Sequence, residues 1–200
     1  YRLVVASDPG AETFVEYSEI AIGVGLVPGA QQIGTFTGGK LAYLDYLAAS
    51  PTQSTIYRWE GGVPLVVQIV SGTPVQDAPA MNGLGEVAFL QDVPPAVVVT
   101  DGEDAAVIAS LDTVFADDKE IDNLLRPAPD IDGEGRVAYF ASIASGEDPI
   151  CDDRILLSGT NPPLLLAAGG GSRDDCAFSY LDVTIPIASN DASSAAYAGS

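Results

Sequence analysis

The sequence predicts an all-β protein that resembles a β-propeller, with about four blades built from a repeat of about 50 residues. Its 200 residues include 21 glycines and 14 prolines, which separate short runs rich in valine, isoleucine, leucine, threonine and tyrosine. Branched and aromatic side chains fit a pleated sheet, while glycine and proline favour turns. The pattern of runs also recurs along the chain. The alternative architecture is another antiparallel β-repeat or a sandwich.

The first predicted strand of each repeat ends in an aromatic residue. Four segments are alike: residues 36–43, 78–89, 128–139 and 186–197. Their aromatic residues are Tyr43, Phe89, Tyr139 and Tyr197. An alanine precedes each ring, so the alternation of a strand would place ring and alanine on opposite faces. We expect these recurring rings to fill the core between blades.

Two further strands are predicted after these aromatic residues, separated by turn residues. The second strand covers residues 55–59, 96–100 and 154–158. The third strand covers residues 64–70, 105–109 and 163–168, and residues 1–8 resemble it. Each unit therefore has three strands, with room for a fourth.

One stretch has a different pattern. The apolar residues of 114–125 (VFADDKEIDNLL) recur at roughly helical spacing, which predicts a short helix or turn inserted before the third repeat.

We expect a single repeat domain over residues 1–200. Its repeats span approximately residues 1–70, 71–120 and 121–180, followed by a partial repeat at 181–200. Two interpretations of the partial repeat stay open. It closes a ring by pairing with residues 1–8, or a neighbouring subunit fills its open edge. The start at Tyr1 rather than methionine indicates a processed or excised chain.

The charge balance excludes several classes of partner. There are 28 acidic and 8 basic residues, for a formal net charge of −20. Such a field repels phosphate backbones, so we expect no nucleic-acid binding, and it disfavours anionic membranes. The longest uncharged stretch, residues 20–40 up to Lys40, is broken by glycines and a proline, so membrane insertion is not expected. The acidity suits a saline or calcium-rich exterior.

The two cysteines lie in a mirrored pattern, CDDR at 151–154 and RDDC at 173–176. A hairpin centred between them would place Cys151 opposite Cys176. It would likewise oppose Asp152 with Asp175 and Asp153 with Asp174. An even number of cysteines in a chain that looks extracellular predicts a disulfide. A pair of buried free thiols is the alternative.

That hairpin suggests a calcium site. Asp152, Asp153, Asp174 and Asp175 would repel one another at close range unless a cation offsets their charge, and Ca²⁺ prefers oxygen ligands. Arg154 and Arg173 offer the competing explanation, since they could pair with these carboxylates. A second calcium candidate is Asp130-x-Asp132-x-Glu134, but Asp132 aligns with Asn82 and Asn190. A turn-forming role therefore competes with it.

Catalytic chemistry has few candidates. The chain has no histidine, which excludes Ser-His-Asp and Cys-His arrangements and His-ligated zinc. It also lacks a GxSxG elbow and a P-loop. A pair of carboxylates able to cleave a glycosidic bond is the enzyme option that survives.

The run Asn82-x-x-Gly85-x-x-x-Phe89 resembles the defining motif of bacterial exported Asn-x-x-Gly-x-x-x-Phe tandem-repeat proteins, which carry variable surface anchors. The third copy has Asp132, Gly135 and Tyr139 in this frame. The fourth has Asn190, Ser193 and Tyr197, and the first has Phe36, Gly39 and Tyr43. The resemblance implies export, a propeller-like repeat and no established catalysis. No anchor is visible in this chain.

We therefore expect a secreted or cell-surface protein without a catalytic site. The first functional expectation is an extracellular structural or adhesive module that self-assembles through open blade edges. One alternative is a propeller that binds glycans or another extracellular protein. The other is a carboxylate-dependent glycoside hydrolase.

Overall fold

A computed structural model of the chain describes a subset of its residues. The described residues are 2–8, 11–16, 32–37, 40–46, 53–60, 63–71, 75, 77–114, 120–143, 153–158, 163–169, 188–190 and 194–196. They form antiparallel β-strands, and no helix occurs among them. The predicted all-β class is therefore confirmed.

Sixteen strands make five separate sheets in the described part of the chain. The first sheet pairs β1 (Arg2–Asp8) with β2 (Ala11–Glu16). Sheet I contains β3 (Gln32–Thr37), β4 (Lys40–Tyr46), β5 (Gln53–Glu60) and β6 (Val63–Ser71). Sheet II contains β7 (Ala80–Met81), β8 (Val87–Asp92), β9 (Pro95–Thr100) and β10 (Ala105–Ser110). Sheet III contains β11 (Ile121–Ile131), β12 (Val137–Ile143), β13 (Asp153–Leu157) and β14 (Leu164–Gly169). The last sheet pairs β15 (Ala188–Asn190) with β16 (Ser194–Ala196).

Sheets I, II and III share one topology. In each, four strands lie side by side in chain order. The fourth strand that the sequence left room for precedes the aromatic residue: β3, β7 and β11 each pair with the strand that carries it. Residues 2–8 form a strand as expected, but it pairs with a following strand, β2, that was not predicted.

The predicted helix over 114–125 is wrong where the structure describes it. Residues from Ile121 onward belong to β11, and Val114 forms an isolated bridge to Glu120. The reason is a β-bulge. Ile121 pairs with Ile143 and Asn123 with Ser142, so Asp122 is an extra residue. Ile121 and Leu124 then both point inward, a three-residue spacing that mimics a helix.

Two apolar layers hold the three complete sheets together. One lies between sheets I and II, with Leu44, Ile56, Val87 and Phe89 among its members. The other lies between sheets II and III, with Ala88, Leu90, Val137 and Tyr139 among its members. Strand β8 contributes to both because successive side chains point to opposite faces. The ring and the alanine therefore lie on opposite faces of the strand, as expected: Phe89 faces sheet I, and Ala88 faces sheet III.

The last strand of each complete sheet carries an extra residue. The register shifts at Val67 in β6, at Ile108 in β10 and at Leu166 in β14. Val67 is buried in the layer between sheets I and II, and Ile108 packs against the layer between sheets II and III. Two of the three extra residues thus send apolar side chains inward, and bulges of this kind bend a strand.

Candidate functional site: a junction of polar turns

The loop between β7 and β8 is a turn closed by Asn82. Its side-chain oxygen Oδ1 accepts the backbone N–H groups of Leu84, Gly85 and Glu86, each at 3.1 Å. Its backbone N–H donates to the Glu86 carbonyl, and its carbonyl accepts from Gly85. Asn82 is only 4% exposed. Asparagine suits this role because a short amide side chain can mimic a backbone turn.

The loop between β11 and β12 repeats this geometry around Asp132. Oδ1 of Asp132 accepts the N–H groups of Glu134 and Arg136, both at 2.9 Å. Oδ2 of Asp132 accepts Nε of Arg136 at 2.7 Å. Asp132 is 3% exposed. Both carboxylate oxygens therefore have protein partners, which favours the turn-forming interpretation of Asp132 over a calcium loop.

The glycine in the fourth position of each turn adopts a left-handed backbone. Gly85 has φ +93° and Gly135 has φ +78°, a region that side-chain-bearing residues rarely occupy. Neighbouring sheets also approach both positions closely. A Cβ on Gly85 would lie 3.1 Å from Nη1 of Arg58, and one on Gly135 would lie 3.2 Å from Oε2 of Glu86.

Each turn is held by a side chain of the preceding sheet. Nη1 of Arg58, on β5 of sheet I, donates to the Gly85 carbonyl at 2.7 Å. Nδ2 of Asn82, in sheet II, donates to the Asp132 carbonyl of sheet III at 3.0 Å, across a sequence separation of 50 residues. We name residues 82–86 and 132–136, together with Arg58, the turn junction. It links three sheets in series.

Charged groups surround the junction. Nδ2 of Asn82 also donates to Oε2 of Glu86 at 2.6 Å. On sheet I, Nζ of Lys40 lies 3.3 Å and Nε of Arg58 lies 3.6 Å from the Glu60 carboxylate. Most of these groups are only partly exposed, so their interactions are screened less than those of fully solvated pairs.

Arg58 reaches a second loop, between β9 and β10, where Nη1 donates to the Asp101 carbonyl at 3.0 Å. The backbone N–H groups of Asp104 and Glu103 donate to the Asp101 carboxylate at 3.0 and 2.8 Å. These bonds hold the pKa of Asp101 below its usual value, and the charge of Arg58 adds to the effect. The resulting stabilisation is present above the ordinary pKa of aspartate and is lost as the pH falls below it.

The aromatic residues Phe89 and Tyr139 lie in the layers between sheets, 1% and 2% exposed respectively. Tyr43 is also buried, and its ring stacks on Tyr57 with centroids 5.0 Å apart. The hydroxyl of Tyr139 is buried without a hydrogen-bond partner among the described residues. Burial also raises the pKa of Tyr139. Phe89 has no hydroxyl to satisfy.

The mirrored cysteine hairpin is only partly within the described residues. Cys151, Cys176, Asp152, Asp174 and Asp175 lie outside them, so the disulfide and the calcium site stay predictions. The register of Asp153 corrects the sequence analysis, because Asp153 pairs with Gly169 rather than with Asp174.

The observed register has a physical advantage. It pairs Leu156 with Leu165 and Leu157 with Leu164, whereas the mirrored register would oppose Leu157 with Gly170. Apolar cross-strand pairs stabilise a sheet more than a leucine opposite glycine. In the fourth copy, Asn190 ends β15 and pairs with Ser194, while Tyr197 lies outside the described residues.

Three junction residues were missed by the sequence analysis: Arg58, Glu86 and Arg136. Glu86 and Arg136 each lie four positions after the residue that closes their turn, which is a signal in the sequence. Arg58 has no such signal, because it acts 27 residues away from Gly85.

Within the described ranges, no group of three or more His, Cys, Asp or Glu side chains is arranged to hold a metal ion. Nor does that part of the chain contain a helix long and apolar enough to span a membrane.

Comparison with known proteins returned no relative. No family model matches the chain, and searches of curated proteins and of solved structures gave no significant match.

Proposed function

We propose that the chain is a non-catalytic extracellular module with a structural or adhesive role, built as a propeller-like series of about four blades. One observation carries the proposal: Asn82 of sheet II bonds to the Asp132 carbonyl of sheet III, 50 residues away. The equivalent turns of sheets II and III thus bind each other. This is the arrangement expected when each repeat packs mainly against its neighbours.

The hydrogen bonds of the polar side chains at the junction support a role in holding the sheets together. Asn82, Asp132 and Arg58 direct their hydrogen bonds to turns of their own or the adjacent sheet. A catalytic pair would need carboxylates facing a space for substrate. At the junction Glu86 accepts from Asn82, and Asp132 accepts from Arg136.

The resemblance to exported Asn-x-x-Gly-x-x-x-Phe repeat proteins is consistent with this geometry. The asparagine closes the turn, the glycine supplies positive φ and the ring fills the layer between sheets. Each defining position of that motif thus helps to hold the turn or the sheets together in the copy at residues 82–89. The resemblance supports a secreted or cell-surface location and a non-catalytic role.

A fourth blade would arise if the two smaller sheets joined. The pair β15–β16 is connected like the first two strands of a complete sheet, with Asn190 at its turn. The pair β1–β2 is a hairpin like the last two strands. Edge-to-edge pairing of β16 with β1 would give four strands in the same order, either within one chain or between copies. Pairing between copies would produce self-assembly.

The test is the solution mass of the native chain, measured by light scattering behind a sizing column with and without EDTA. We expect a mass above 20.6 kDa if the edges pair between copies. Loss of that mass in EDTA would add calcium to the mechanism. A compact monomer that retained oligosaccharides or a protein partner would instead favour a binding module. A monomer whose turnover of a glycoside was lost on one carboxylate substitution would overturn the non-catalytic proposal.

A further inference from the structure

The turn between β7 and β8 of sheet II contains an Asn-Gly dipeptide, Asn82-Gly83, whose side-chain amide can be lost. The chain has four asparagines, and only Asn82 is followed by glycine. Glycine has no side chain to shield its backbone nitrogen, so the Gly83 nitrogen can attack Cγ of Asn82. A bond forms between that nitrogen and Cγ, the bond from Cγ to Nδ2 breaks, and the proton of the Gly83 nitrogen leaves with Nδ2 as ammonia. Water then opens the cyclic imide to aspartate or isoaspartate. No oxidant or reductant is needed.

Two features of the turn favour this reaction. Oδ1 of Asn82 accepts three backbone N–H groups at 3.1 Å. Such donors polarise the side-chain carbonyl and would stabilise negative charge on Oδ1 when Cγ is attacked. The space beside Gly83 is open, since no atom in the described part of the chain lies within 4 Å of where its Cβ would be.

The junction opposes the same reaction. Nδ2 of Asn82 is held by Oε2 of Glu86 at 2.6 Å and by the Asp132 carbonyl at 3.0 Å. The side chain is also almost completely buried. Departure of ammonia therefore requires these two bonds to open, so the closed junction gates the reaction.

The product would not fit the closed junction. An aspartate at position 82 could not donate to the Asp132 carbonyl, and its charge would meet that of Glu86. Asp132 is tolerated in the equivalent turn because Arg136 lies beside it at 2.7 Å. We infer that Asn82-Gly83 is a deamidation site, gated by the turn junction, whose conversion releases sheet II from sheet III. This inference does not depend on the proposed function.

The test compares the native wild-type chain with Gly83→Ala. This variant is a matched control, because a Cβ at Gly83 meets no described atom within 4 Å and its φ lies outside the left-handed region. Both proteins are aged at mildly alkaline pH. Peptide mapping by mass spectrometry then follows deamidation at position 82. Asn161 is the internal reference, since the nitrogen of Pro162 has no hydrogen and cannot complete the attack.

In the wild type we expect conversion at position 82 well above that at Asn161, with the urea unfolding midpoint falling as conversion proceeds. In Gly83→Ala we expect conversion to drop to the Asn161 level and the midpoint to stay constant. Three results would each overturn the inference: no conversion above the reference, conversion without a change in midpoint, or an equal loss of midpoint in Gly83→Ala.

A second variant tests the gate itself. Arg58→Ala removes the donor that holds the Gly85 carbonyl at 2.7 Å, so the turn should open more often and position 82 should convert faster than in the wild type. Asn82→Asp serves as the product mimic and should show the lowered midpoint without ageing. An unchanged rate in Arg58→Ala would contradict gating by the junction.

Discussion

Asn82 and Asp132 close equivalent turns but are different residues, and the side chain four positions later explains the difference. Glu86 accepts from the Asn82 amide at 2.6 Å, whereas Arg136 donates to the Asp132 carboxylate at 2.7 Å. A carboxylate at the buried position 82 would lie beside the partly buried charge of Glu86, which has the same sign, and this is costly. The residue that closes each turn therefore complements the charge of the residue four positions later: a neutral asparagine donates to Glu86, and a negative aspartate accepts from Arg136.

A double-mutant cycle at positions 82 and 86 tests this pairing, because it replaces the asparagine–glutamate pair by the aspartate–arginine pair of the other turn. Asn82→Asp should lower the free energy of unfolding by about 2 kcal/mol, because a buried donor is lost and two carboxylates meet. Adding Glu86→Arg should recover about 1 kcal/mol by copying the pair at Asp132. Urea unfolding of the four proteins gives the coupling energy. A coupling near zero would mean that the two side chains do not interact.

The hydroxyl of Tyr139 is a separate residue-scale feature. It is buried without a partner in the described part of the structure, a state that costs free energy. Tyr139→Phe should therefore raise the free energy of unfolding by about 1 kcal/mol. The mirror variant Phe89→Tyr should lower it by about 1–3 kcal/mol, because it adds such a hydroxyl to the other layer. Both are measured by urea unfolding, and destabilisation by Tyr139→Phe would contradict the assignment.

The residue-scale roles could be predicted where they are local. Asparagine, glycine and ring recur within eight positions of one another, so their turn and core roles could be inferred from the sequence. The link from Arg58 to Gly85 could not, because it depends on how sheets I and II pack.

At the scale of elements, strand positions followed from turn residues and apolar runs. All three predicted second strands overlap β5, β9 and β13, and the predicted third strands overlap β6, β10 and β14. The two wrong predictions, the helix over 114–125 and the register of the mirrored hairpin, arose from a β-bulge and from a shifted strand pairing. The extra residue Asp122 gave β11 a helical spacing, and the mirrored aspartates suggested a register that the leucine pairs of β13 and β14 override.

The bulges in β6, β10 and β14 have a consequence for assembly. Each lies on the outermost strand of its sheet, where an unpaired edge invites pairing with another chain. A bulge disrupts the regular spacing of backbone donors and acceptors, so another strand pairs less well with that edge. Self-assembly should therefore use the edge of β16 and the regular part of β1, Arg2–Ala6, which precedes a bulge at Ser7, rather than these outer edges.

Deletion of Ile108 should straighten β10. Its neighbours Val107 and Ala109 already pair with the consecutive residues Val98 and Val97, so the ladder would become regular. We expect light scattering to show a mass that rises with protein concentration. Ile108→Ala is the control, because it removes the side chain but keeps the bulge. Association of both variants would assign the effect to lost packing rather than to edge shape.

At the scale of the whole molecule, a net charge of −20 acts on every sheet. Like charges repel within a compact fold, and salt screens that repulsion. Raising sodium chloride to physiological ionic strength should increase the free energy of unfolding by about 1 kcal/mol. Calcium chloride at equal ionic strength should add more only if a cation site exists. Stability that falls as salt is added would contradict self-repulsion as the dominant effect.

The central claim is that the turn junction couples sheets that are distant in sequence, and hydrogen exchange of Asn82→Ala tests it most directly. Gln91→Ala is the control, because Gln91 binds the carbonyls of Val93 and Pro94 within the loop that follows β8. In Asn82→Ala we predict faster exchange at the amides of residues 84–86, which lose their acceptor. Exchange at the amides of Glu134 and Arg136 should also become about threefold to tenfold faster, because the Asp132 carbonyl loses its donor from sheet II. Gln91→Ala should leave both turns unchanged. Faster exchange confined to residues 84–86 would contradict the claim, since it would show that sheet III holds its turn without Asn82.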